Sequence, residues 1–165
     1  MKNLDKWNLP RIISSSRILL IIIVTVISFS LYVNLDAKNL LILSMILLIV
    51  FWINLISVMF RVLDHNYDGI IKLRKLVFLF IAAILVYSFV YYAIINYYNI
   101  KYSKNESKSK ISKMFDTTYM STSILTFLGI PYFEIQESRL ANLVIMTQNC
   151  ASIILITILL SKVIL

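Results

Sequence analysis

YMSTSILTFLGIPYFE, residues 119–134, lies between a Lys-rich loop and the last apolar run, and it fits neither a membrane span nor a simple connection. From a cap at Asp116 it predicts a short helix over Thr117 to about Phe127, roughly three turns. At about 1.5 Å per residue such a helix crosses only about half of a hydrocarbon layer. Gly129 and Pro131 follow at once, and they end a helix and force irregular backbone. Backbone of that kind survives at membrane depth only where protein buries it or water bathes it. The expectation is therefore a re-entrant segment: a half-helix that enters the bilayer and a return strand that leaves on the same side.

Composition supports a membrane setting for that segment. The 165 residues are 60% hydrophobic and only 15% charged, with a mean hydropathy of +0.86, which places the chain in the membrane class. The formal net charge of +8 sits mostly between apolar runs, where Lys and Arg serve topology and lipid headgroups, so nucleic acid is not an expected partner. A single cysteine, Cys150, excludes a disulfide framework or a thiolate metal site within one chain. His65, the one histidine, lies between Asp64 and Asp68 and reads as part of a solvated loop rather than a metal site. With no cluster of His, Asp, Glu or Cys at one depth, no catalytic residue, no resident metal and no cofactor are expected.

Four apolar runs of span length surround these loops, at Ile12–Asn34, Leu40–Val62, Leu76–Tyr98 and Leu140–Leu165. The first is too long for a signal-peptide core and is read as a retained helix. Leu35–Asn39 reads as a tight turn, Asp64–Lys75 as a polar loop, and Asn99–Lys113 as a Lys-rich solvated loop. Trp52 and Asn54 fall inside the second run, where the Asn amide is placed to bond a neighbouring helix. Tyr91, Tyr92, Tyr97 and Tyr98, near the end of the third, read as an interfacial aromatic belt. The fold class predicted is an all-α integral membrane protein with four transmembrane helices and a re-entrant pore helix and loop between helices 3 and 4. Residues 1–99 form a three-helix region and residues 100–165 a pore module. Nine of the 16 Lys and Arg fall on the side of the two termini and seven on the other, which favours cytoplasmic termini in a multi-pass protein of the cell membrane.

The last run carries a polar stripe. Gln148, Asn149 and Ser152 fall within about 100° of one another on a helix of 3.6 residues per turn, and polar groups at mid-membrane face protein or water. Either pore lining or helix-to-helix hydrogen bonding satisfies that requirement. The predicted half-helix would point its partially negative C-terminal end into the membrane, a bias towards cations.

In order and spacing, Tyr119, Ser121, Thr126, Gly129 and then Arg139-Leu140 resemble the pore module of potassium-channel-type proteins over roughly the last third of the chain. That resemblance implies a passive monovalent-cation channel with potassium as the permeating ion, whose filter is Thr126, Phe127, Leu128, Gly129 and Ile130. It also implies Glu134 and Glu137 near the outer mouth, as acidic rings or as solvated rim charges, and Gln148, Asn149 and Ser152 along the inner helix. Asn149 stands approximately where the family has its hinge glycine. The family's Thr-x-Gly-Tyr-Gly-Asp is here Phe127-Leu128-Gly129-Ile130-Pro131-Tyr132. Pro131, with φ fixed near −65°, does not form the family's outermost ion site, which blunts selectivity. One loop cannot enclose an axis, so a homotetramer in the lipid bilayer is expected, with room for a regulatory subunit. The alternative is a non-conducting membrane interaction protein, such as an immunity or accessory subunit.

Overall fold

A computed structural model describes residues 24–25, 36–63, 69–98, 109–126 and 138–163. They form α1 (Ala37–Leu63), α2 (Gly69–Tyr97), α3 (Lys110–Leu125) and α4 (Arg139–Val163). Three stretches are long and apolar enough to cross a membrane: Ala37–Phe60, Leu76–Tyr97 and Arg139–Leu160. The chain is therefore an all-helical protein whose described helices suit a bilayer. The 16 residues of α3 fall short of that length.

α1 shows how sequence period becomes a lipid-facing surface. Ile42, Ile46, Ile49, Ile53, Ile56 and Phe60 are all exposed, and steps of three and four place them on one face. Leu40, Ser44, Leu47, Phe51 and Leu55 on the opposite face are buried. They meet α2, which runs the other way: Leu40 and Leu47 cluster with Phe89, Tyr92 and Ala93, and the rings of Phe51 and Tyr87 meet edge-on at 5.9 Å.

α2 is the centre of the bundle. Every residue from Val86 to Ile95 is buried, so no side of the helix is left for lipid over that length. α3 covers one of its faces in antiparallel register: Met114 packs on the Phe89 and Tyr92 cluster, Thr117 and Thr118 meet Ser88, and Ser121 meets Ile84. α4 closes the core through Ala141, Val144, Ala151, Leu155 and Ile158.

Several boundaries differ from the sequence reading, each for a local reason. α2 begins at Gly69, inside the segment read as a loop, because Ile, Lys, Leu and Arg are good helix formers that extend a span beyond its apolar part. α1 likewise starts at Ala37 within the expected turn, where the Asp36 carbonyl accepts from Leu40 N–H at 3.0 Å. α3 starts at Lys110 rather than Thr117, so the N-cap is Ser109 and not Asp116: Ser109 Oγ accepts from Ser112 N–H at 3.2 Å. Replacing Ser109 by alanine is expected to cost the start of α3 about 1 kcal/mol, read as faster amide exchange at Ser112 with the rest of the bundle unchanged. Of the first predicted span, only Val24 and Thr25 lie within the described residues; both are helical, Thr25 is buried, and Val24 packs on the Leu40 cluster. The rest of that span, and the return segment after Thr126, lie outside them.

Candidate functional site

At the level where α3 crosses the middle of α2, a set of polar side chains ties all four helices together. Two facts of sequence produce it. Tyr87 and Tyr91 are one turn apart on α2 and share a face, and α4 places Thr147 and Gln148 opposite them. Tyr91 Oη donates to Gln148 Oε1 at 2.6 Å. Gln148 Nε2 donates to the Ser121 carbonyl at 2.7 Å and to Ser121 Oγ at 3.1 Å, and Ser121 Oγ donates in turn to the Ile84 carbonyl at 3.0 Å. Both ends of the Gln148 amide are thus occupied, which a fully buried amide requires.

A second branch lies one turn away. Trp52 Nε1 donates to Tyr87 Oη at 3.2 Å, Tyr87 Oη to Thr147 Oγ1 at 3.4 Å, and Thr147 Oγ1 to the Val144 carbonyl at 2.8 Å. A third holds the upper part of α3, where Ser88 Oγ lies 2.9 Å from Thr118 Oγ1 and 3.3 Å from Thr117 Oγ1. Lipid offers no competing partners, so such bonds fix which helix faces which. The short helix is held along its whole buried face.

The predicted site residues fall in three places. Gln148 and Ser152 are buried inside the bundle, and Ser152 Oγ donates to the Gln148 carbonyl at 2.8 Å. Asn149, between them in sequence, is half-buried and points elsewhere. Thr126 ends α3, its N–H and Oγ1 both donating to the Thr122 carbonyl at 3.0 and 2.8 Å, and it is exposed. Phe127, Leu128, Gly129, Ile130, Glu134 and Glu137 lie outside the described residues.

Two readings are corrected here. Tyr91 and Tyr92 belong to the core and not to an interfacial belt, since both are fully buried, whereas Tyr97 and Tyr98 are exposed. Asn54 does not reach a neighbouring helix; its Nδ2 donates to the Val50 carbonyl of its own helix at 2.8 Å. The parts that sequence reasoning missed are the partners of Gln148. A Tyr pair four residues apart in one span and a Gln in another carried the available signal, and only the register of the helices says that they meet. Among the described residues no three His, Cys, Asp or Glu side chains gather; the groups brought together at this level are phenols, hydroxyls, an indole N–H and one amide. No protein-family model, curated protein or solved structure matches the chain, and the functional reading therefore rests on the geometry above together with the sequence.

Proposed function

We propose that the protein is a passive monovalent-cation channel of potassium-channel type, assembled as a homotetramer in the cell membrane with cytoplasmic termini. The observation that carries this reading is α3. A helix of 16 residues, shorter than a span, is hydrogen-bonded at mid-depth to α2 and α4 and ends just before Phe127-Leu128-Gly129-Ile130-Pro131. Its C-terminal carbonyl end carries partial negative charge and favours a cation that sheds water there. Thr126 to Ile130 line the narrow part, and Glu134 and Glu137 stand near the outer mouth. Potassium permeates, with preference over sodium weakened by Pro131. The protein contributes electrostatics and a wet path, and no covalent step occurs.

A second reading has its own support. Gln148 and Ser152 spend their polar groups inside the protomer, as they would in a membrane interaction protein that conducts nothing. Purified protein in liposomes separates the two. A potassium gradient with a valinomycin-free flux assay is expected to show protein-dependent potassium entry, with measurable sodium entry; vesicles that pass neither ion would favour the second reading.

A further inference from the structure

Two polar side chains at the same depth are left partly or largely uncovered by the bundle, Asn149 half-buried and Tyr119 exposed. Tyr119 lies between Thr117, which faces Ser88, and Ser121, which faces Ile84, so it stands level with Val86, half-way along the Leu76–Tyr97 span. It is 66% exposed. Asn149 follows Thr147 and Gln148, whose partners are Tyr87, Tyr91 and Ser121, and is therefore in the same layer. Its neighbours on that face, Met146 and Ile153, are exposed.

Among the described residues neither the Tyr119 hydroxyl nor the Asn149 amide has a hydrogen-bond partner. About 15 Å from either end of the span, acyl chains supply no donor or acceptor, and polar groups there are retained where protein or water meets them. The two groups are complementary, since a phenol donates and an amide oxygen accepts, yet they sit on different helices of one chain without meeting.

Resting on the tetrameric reading above, we infer that Tyr119 of one copy meets Asn149 of the next. A contact between two different patches of the same chain is heterologous, and repeated about an axis it closes a ring. The partner is thus a second copy of this chain, and the outward face of α3 is a subunit interface.

Cysteine pairing in native membranes tests this. In a Cys150→Ala background, chains carrying Tyr119→Cys alone and chains carrying Asn149→Cys alone are co-expressed with different tags and oxidised. A mixed disulfide-linked dimer is expected, and chains carrying both substitutions should give a ladder ending at four. A ladder ending at two keeps the contact and removes the tetramer. Fast-migrating monomer, meaning a bond within one chain, overturns the contact, as does the absence of any mixed dimer. Because cysteine pairs can fail on geometry alone, Tyr119→Phe and Asn149→Leu are also compared by native electrophoresis in detergent. Each should shift the oligomer towards monomer about tenfold, and the double variant little further; additive shifts, or none, overturn the contact. Potassium flux measured on the same proteins is an independent readout, so the contact can fail while the channel reading stands.

Discussion

Replacing Gln148 by leucine is expected to destabilise the folded bundle by about 2 kcal/mol, a large effect for a substitution that keeps the side chain's volume. Leucine fills nearly the same space, so the loss is one of hydrogen bonds rather than of packing. The substitution removes three bonds and leaves the Tyr91 hydroxyl, buried beneath α4, without its acceptor. A buried donor left unmade costs more than a bond that never existed. The double variant makes that distinction measurable. Tyr91→Phe alone should cost about 1 kcal/mol, whereas in the Gln148→Leu background it should cost almost nothing or restore stability, because it deletes the orphaned group. Unfolding of the reconstituted or detergent-solubilised protein, followed by loss of helical circular dichroism, supplies the four free energies. Strictly additive costs would mean that Tyr91 and Gln148 do not act as a pair. Ser121→Ala is milder, since the Ser121 carbonyl remains to receive the amide.

How much of this was legible beforehand differs by element. The spans in α1, α2 and α4 follow from runs of Leu, Ile and Val too long for anything but a bilayer, and each was placed within a few residues. Their ends were not, because a helix outlasts its apolar part wherever good helix formers continue, as Gly69 to Lys75 does. α3 was recognisable as a short helix, yet its cap was placed at Asp116, seven residues too late. Ser109 acts as the cap, which adds two turns, Lys110 to Asp116, whose first four residues composition alone assigns to a Lys-rich loop. The polar stripe of α4 was visible as a pattern, but its direction was not. Gln148 faces Tyr91 because α2 lies beside α4, and no periodicity within one helix specifies its neighbour. The same reason hid Tyr91 and Tyr92, whose hydroxyls suggest an interface until the register places them at the centre of the bundle.

Gly129→Val is expected to abolish ion flux while leaving the bundle folded, the second large effect and the sharper test of function. On the channel reading, Gly129 supplies backbone in the left-handed region so that successive carbonyls turn towards the axis. A residue with a Cβ pays about 1–2 kcal/mol there, and a β-branched one sits at the upper end of that range. Four copies share one axis, so the conducting arrangement is disfavoured by more than about 4 kcal/mol, roughly a thousandfold loss of potassium entry. Leu128→Val, at a position that asks nothing unusual of the backbone, should change flux far less. Unfolding of both variants should match the parent, because on the channel reading residues 128 and 129 serve the ion path, whereas the main core cluster among the described residues is built from α1 to α4. Equal flux from the parent and Gly129→Val would remove residues 126–130 from the permeation path. A matched loss of flux and of stability would show instead that the return segment is a structural strut, which is what the non-conducting reading requires.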